Sequence, residues 1–351
     1  MSEQSKAACI NIEKILSQVA KAVETNLQEL FSTESRKVII LAGPTGTGKT
    51  KLSIQLAQLL GGEIISADSA QVYRGMDIGT AKISKDEQQG VVHHLIDIRN
   101  VDEPYNVFDF YHDAKACCLE IQKRGRVPIV VGGTGFYLHT LIYGPPQGPG
   151  KSEEVRKKLY DDYEKCGIEP LFDRLAEFDP QYASTIGKYD IHKVLRALEI
   201  ITISGMPVSS FEWKDRTPDA TFQFCPWFLY RERAELYPIL DQRSLDMIHK
   251  GLIEEVKKLE ELGLSSNKQA SQAIGYKQTL EYLRSEKTAK DYELFVSKLQ
   301  AATRQLAKRQ FTWFRKEPLF KWLDVGSMSE EMILNTIISD FHFGREGGLC
   351  L

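Results

Sequence analysis

Gly43-Pro44-Thr45-Gly46-Thr47-Gly48-Lys49-Thr50 satisfies GxxxxGK[ST] in full. The pattern carries weight because of what flanks it. Lys37-Val38-Ile39-Ile40-Leu41-Ala42 is a short, β-branched apolar run that stops at Gly43-Pro44, the pattern of a buried strand. The periodic segment from Lys51 to Leu60 predicts a helix. A glycine-rich turn between a strand and a helix lets successive backbone N–H groups point inward, and the helix N-terminus adds partial positive charge. Such a turn grips a diphosphate or a longer phosphate chain.

Working outward, Glu63–Ser66, His94–Ile98 and residues 127–131 are further strand candidates, and a helical pattern runs from Phe108 to Lys123. Strands alternating with helices predict a parallel sheet covered on both faces. Residues 144–150, GPPQGPG, break this rhythm, and the following seventy or so residues read as helical. Asp190 is placed to cap a helix burying Ile191, Val194, Leu195, Leu198 and Ile201, with Gly205 and Pro207 ending it. The aromatic run from Phe222 to Tyr230 predicts a strand returning to the sheet, near an edge because of Pro226. Long helices then run, with breaks, from Glu235 to about Arg315. The fold class expected is therefore α/β: a P-loop NTPase-like parallel sheet flanked by helices, with an inserted helical domain. The expected divisions are an N-terminal helical extension (1–36), a first core part (37–143), the insert (144–221), the core completion with C-terminal helices (222–325) and a tail (326–351).

Composition narrows the class. The chain of 351 residues is 42% hydrophobic and 26% charged, which is ordinary for a globular protein. No apolar stretch approaches the roughly 18 residues of a membrane span, so no membrane association is expected. The formal net charge of -3 means that any nucleic-acid surface must come from locally segregated charge. Six cysteines form no CxxC pair, which fits a reducing compartment and no zinc site. The acidic N-terminal stretch, with Glu3, Glu13, Glu24, Glu29 and Glu34, is unlike a transit peptide, and its apolar spacing suggests an amphipathic helix. A cytoplasmic location is expected, or an organellar one if a targeting segment precedes this sequence.

The chemistry-bearing residues gather at predicted strand ends. In the glycine turn, Lys49 supplies a point charge and the Thr50 hydroxyl a magnesium ligand. The strand at 127–131 ends in Gly132-Gly133-Thr134 rather than in the acid of a nucleotide-hydrolysing motor. Asp68, in the stretch SADSAQVYR at 66–74, lies at the carboxyl end of the second strand, where ligands bind in open α/β sheets. It suits a general base, or alternatively a helix cap or metal partner; Ser69 and Gln71 offer hydrogen bonds to a base edge. Residues 75–82, GMDIGTAK, read equally as a surface loop or as a substrate contact. Thr134 presents a hydroxyl to phosphate or sits in a tight turn. Arg231, Arg233 and Arg243 cluster after the returning strand, suited to a departing diphosphate or to a solvated helix face. Residues 298–316 hold Lys298, Arg304, Lys308, Arg309, Arg315 and Lys316 without an acid. On a helix, Arg304 and Lys308 share a face opposite Ala307, Phe311 and Phe314, which suits RNA phosphates or a solvated, docked helix.

These residues resemble the tRNA dimethylallyltransferase family over about 37–315. GPTGTGKT at 43–50, EIISADSAQVYRGMDIGTAK at 63–82, HHLIDI at 93–98 and VGGTGFYL at 131–138 are similar in order. So are RALEI at 196–200, SGMP at 204–207, GLIEEV at 251–256, QAIGYK at 272–277 and TRQLAKRQFTWFR at 303–315. The resemblance implies that the P-loop grips dimethylallyl diphosphate, with Mg2+, and that Asp68 is the base on an adenine amine. It implies that Thr134 and Arg243 hold the departing diphosphate. Asp68, Ser69, Ala70 and Gln71 would touch adenosine 37 of tRNA, and Lys193 and Arg196 would lie on a tRNA-contacting helix. His192-Lys193 stands where the family usually has Gln-Arg, and Tyr230-Arg231 where it commonly has Asp-Arg. A monomer is expected. Two rivals share parts of this pattern: an adenylate isopentenyltransferase acting on free AMP, ADP or ATP, and a P-loop small-molecule kinase. The insert and the basic helix favour tRNA over the first.

Overall fold

A computed structural model describes residues 36–211 and 217–343. The predicted amphipathic helix before residue 36 lies outside the described residues. Among the described residues there are two compact units, one running up to Ile142 and resuming at Asp219, the other the insert that lies between them.

In chain order the first unit runs β1 (Lys37–Ala42), α1 (Lys49–Leu60), β2 (Glu63–Ser66), β3 (His93–His94), α2 (Val107–Lys123), β4 (Pro128–Gly132) and α3 (Gly135–Tyr143). The insert holds α4 (Glu153–Cys166), α5 (Glu169–Phe178), α6 (Pro180–Ala183) and α7 (Ile191–Ser204). The first unit resumes with β5 (Gln223–Tyr230), α8 (Arg233–His249), α9 (Leu252–Glu261), α10 (Lys268–Ser271), α11 (Tyr276–Leu283), α12 (Ala289–Phe314), β6 (Lys321–Asp324) and α13 (Glu330–Phe343). The strands form one six-stranded parallel sheet of order β3-β2-β4-β1-β5-β6. All six residues of β1 are buried, as its unbroken apolar run requires of a central parallel strand. Each buried Ile or Leu there contributes about 1.5–3 kcal/mol of transfer free energy. One face packs Leu52 and Leu56 of α1 with Ile333, Ile337 and Phe341 of α13 against Ile39, Leu41 and Leu229. Buried Lys37 donates to the Phe341 carbonyl and, at 3.1 Å, to that of His342, satisfying otherwise orphaned acceptors at the end of α13.

Two expectations are corrected. The strand read over His94–Ile98 is only the two-residue β3, because Leu95 and Asp97 take left-handed φ values of 61° and 57°. Ile98 and Arg99 instead donate to the Val72 carbonyl at 2.9 and 3.0 Å, cradling the segment after β2. The stretch 326–351, read as a tail, contains α13, which is part of the core. β5 lies between β1 and the edge strand β6, near an edge as its proline suggests. β6 pairs only from Trp227 onward, one residue past Pro226, so the strand is still open on that side at the proline.

Within the insert, α7 is capped by the Asp190 carboxylate accepting from Lys193 N–H at 3.2 Å and ends at left-handed Gly205. Val194, Leu195, Leu198 and Ile201 pack with Leu159, Leu171 and Leu175 into a separate small core.

Candidate active site

The P-loop follows β1. Gly43 is required there: a Cβ would lie 2.3 Å from the Leu229 carbonyl oxygen of β5, and its φ is +153°. Within the turn, Thr47 Oγ1 and Lys49 Nζ both donate to the Pro44 carbonyl, at 2.9 and 2.6 Å. The loop is thereby closed on itself, and Thr50 stands exposed in the first turn of α1.

The segment after β2 turns on Asp68. Its Oδ1 accepts from the backbone N–H groups of Ala70 at 2.9 Å and Gln71 at 3.3 Å. Both bonds fall on one oxygen; among the described residues none falls on Oδ2. The cap and the base, alternatives on the sequence, are therefore compatible: one oxygen fixes the rotamer and the other remains to accept a proton. Ser69 N–H donates to Thr134 Oγ1 at 3.3 Å, so the two strand-end loops meet and the Thr134 hydroxyl keeps its own hydrogen to donate. Gln310, from α12, braces the second loop by donating to the Gly133 carbonyl at 2.9 Å.

Electrostatics join the parts. Burial, then the nearby Arg243 guanidinium, bring the Lys49 ammonium down to about 7, while Asp68 opposes them. Burial also lowers Arg243, and again Asp68 opposes it. Asp68 thus lies close enough to act on both cations, at the same carboxyl edge of the parallel sheet as the P-loop. Arg243 Nε is buried and has no acceptor among the described residues. Two crowded cations and an unused donor call for an anion with several oxygens.

A pH dependence follows. Because the Lys49 pKa is depressed, the side chain is charged below about 7 and neutral above it. The affinity for inorganic pyrophosphate should fall as pH rises from 7 to 9, by up to about tenfold per unit. Lys49→Arg, whose guanidinium does not titrate there, should flatten the profile. Calorimetric titration of both proteins checks this; equal slopes would remove Lys49 from the site.

The RNA candidates are placed less uniformly. Lys308 and Arg309 are exposed on α12, behind which Ala307, Phe311 and Phe314 are buried. Arg304 instead forms an ion pair with Asp241 of α8. In the insert, Lys193 is exposed and pairs with Asp190 at 2.9 Å. Arg196 is turned inward: it meets fully buried Glu199 at 2.8 Å and donates to the Pro149 carbonyl at 2.7 Å. Arg304 and Arg196 are thus each tied to an acid, with about a third of each side chain still exposed. Gln310 was missed altogether, since a glutamine within a basic helix carries no sequence signal.

A family model described as IPP transferase matches residues 71–317. A tRNA dimethylallyltransferase of Protochlamydia amoebophila is 48% identical over 94% of this chain and 96% of its own length. That of Chlamydia pneumoniae is 42% identical over 90% of this chain and 92% of its own length. Among solved structures, a tRNA isopentenylpyrophosphate transferase of Bacillus halodurans superposes with a TM-score of 0.64 and 38% identity, covering 87% of this chain and 97% of that one. A eukaryotic dimethylallyltransferase acting on tRNA gives a TM-score of 0.72 at 31% identity, covering 87% and 80%.

Proposed function

Because this chain belongs to the tRNA dimethylallyltransferase (IPP transferase) family, we propose that it transfers a dimethylallyl group from dimethylallyl diphosphate to N6 of adenosine 37 in tRNA. The observation that supports the reading is the meeting of the Asp68 loop with the Thr134 loop, Ser69 N–H to Thr134 Oγ1 at 3.3 Å, at the sheet edge where the P-loop also opens, with Asp68 acting on Lys49 and Arg243.

The P-loop amides, Lys49, Thr134 and Arg243 bind the diphosphate and stabilise the charge it gains as the C–O bond breaks. Asp68 Oδ2 takes the proton from the exocyclic amine as the C–N bond forms, a contribution of roughly 10²–10⁴-fold. The adenine must leave its stack to arrive there, at a cost of about a few kcal/mol.

Among the described residues no group of three or more acidic, His or Cys side chains could hold a metal ion unaided. The exposed Thr50 hydroxyl, a hard oxygen donor beside the P-loop, would hold a magnesium ion. When bound, the ion would add charge neutralisation on the leaving group.

Exposed Lys308 and Arg309 supply phosphate contacts on the RNA side. Changing both to Ala should weaken tRNA binding and reduce the slope of log Kd against log salt by up to about 2, leaving donor affinity intact. A filter-binding salt titration checks this, and an unchanged slope would return the helix to a solvated role. Among the described residues no helix is long and apolar enough to cross a membrane.

The test of the whole reading is incubation with dimethylallyl diphosphate, magnesium and either tRNA or AMP, followed by mass spectrometry of both acceptors. One C5 unit on tRNA is expected; a C5 unit on AMP alone would select the adenylate enzyme, and phosphoryl transfer a kinase.

A further inference from the structure

Three stretches of this chain, 75–82, 251–256 and 272–277, have no part in the chemistry above, yet the fold brings them together. Glu255, in the first turn of α9, reaches the turn at 77–79. Its Oε2 accepts from the backbone N–H groups of Asp77 at 3.1 Å and Ile78 at 2.7 Å. Its Oε1 accepts from Gly79 N–H at 3.2 Å and from the Tyr276 hydroxyl at 2.6 Å. A carboxylate seated on three consecutive amides forms charge-assisted bonds, each stronger than its neutral counterpart.

The surroundings make this seat rigid. Tyr276 is fully buried, and burial together with the Glu255 carboxylate pushes its hydroxyl well above the ordinary tyrosine range, so it remains a donor. Its ring lies so close to Gly79 that a Cβ there would be 2.6 Å from a ring carbon. Lys82, its side chain only 5% exposed, ties the other end of the loop to Asp77 at 2.7 Å, Asp97 at 2.6 Å and the Tyr73 carbonyl at 2.8 Å.

This turn is connected to the site. The Thr80 carbonyl accepts from Gln71 Nε2 at 3.3 Å, while Gln71 Oε1 accepts from the Ser66 hydroxyl at 3.1 Å. A carbonyl can only accept, so the Thr80 contact decides which way the Gln71 amide faces. The Gln71 backbone N–H is in turn one of the two donors that fix Asp68 Oδ1. A continuous path thus runs from Glu255 through the 77–80 turn to the Gln71 amide beside the base.

We propose that Glu255 is a positioning residue for the acceptor: by holding the 77–80 turn it orients the Gln71 amide, and so governs adenosine binding rather than diphosphate binding. This rests on the reading that the acceptor adenine enters beside Asp68. Glu255→Gln presents an amide nitrogen to a nest of donors, which cannot bond it. The expected result is a rise of about tenfold or more in KM for tRNA, with KM for dimethylallyl diphosphate and pyrophosphate affinity unchanged within about twofold. In a Gln71→Ala background the same change should have little further effect, because both act through one amide.

The experiment is a double-mutant cycle of Glu255→Gln and Gln71→Ala, with steady-state kinetics for both substrates and a thermal melt of each protein. Tyr276→Phe, which removes a single bond to the carboxylate, serves as the milder variant should Glu255→Gln fail to fold. Losses confined to tRNA and non-additive across the cycle support the proposal. Additive losses, or equal losses for donor and acceptor that track the melting temperature, overturn it in favour of a purely structural role. Wild type in the same assay separates the levels: transfer by wild type with additive losses defeats only this inference, whereas no transfer by wild type defeats the underlying reading as well.

Discussion

Asp68→Ala is expected to slow prenyl transfer by roughly 10²–10⁴-fold while the protein folds and still binds tRNA. The expectation rests on the division of labour between the two carboxylate oxygens. Oδ1 is occupied by the Ala70 and Gln71 amides, and losing those bonds loosens a surface turn without opening the core, since Asp68 is only half-buried. Oδ2 is the atom whose loss matters to the chemistry. An adenine amine is a weak nucleophile, so removing its proton as the new bond forms is where the rate is lost. Single-turnover kinetics with saturating donor check this. A rate unchanged within a factor of two would remove Asp68 as the base and leave it a cap.

Lys49→Met should have the second-largest effect, a fall of roughly 10²–10³-fold in kcat/KM for the donor, the usual scale for one preorganised charge at a developing anion. Methionine matches the apolar stem but carries no charge. Burial, reinforced by Arg243, already disfavours the Lys49 ammonium in the ligand-free protein. By linkage its depressed pKa makes the ligand-free fold gain stability as pH rises from about 7 towards 10.5. Below pH 7 the charged lysine is a burden on the fold, so Lys49→Met should melt no lower than wild type at pH 6. Lost transfer with retained stability is the signature; retained transfer would show that the P-loop does not grip the donor.

What could be read from the sequence was what depends on neighbours along the chain. The P-loop, β1 and β2, the Asp190 cap of α7 and the buried stripe of α12 are all matters of local period, capping or turn chemistry. Features that depend on a distant partner were not legible. His94–Ile98 has a strand's composition, yet past His94 its Asp97 and Ile98 N–H groups donate to the Gln71 and Val72 carbonyls, and Leu95 and Asp97 take left-handed φ values. Arg304 and Arg196 look like solvated cations until Asp241 and buried Glu199 are placed beside them. Strand β6 spans four residues, too short for a periodic signal, and the place of α13 in the core depends on its packing against α1 and the sheet. Glu255 reads as an ordinary acid in the first turn of a helix; only the tertiary fold sets it on three amides 176 to 178 residues away.

The facing of one carboxylate and one phosphate-binding lysine can be measured directly, as the pKa that governs pyrophosphate affinity in wild type and in Asp68→Asn. Asp68 raises the Lys49 pKa, so its neutral isostere should move the midpoint downward from about 7. A midpoint that stays where wild type has it would mean that the two groups do not share a site, and the account would fail at its base.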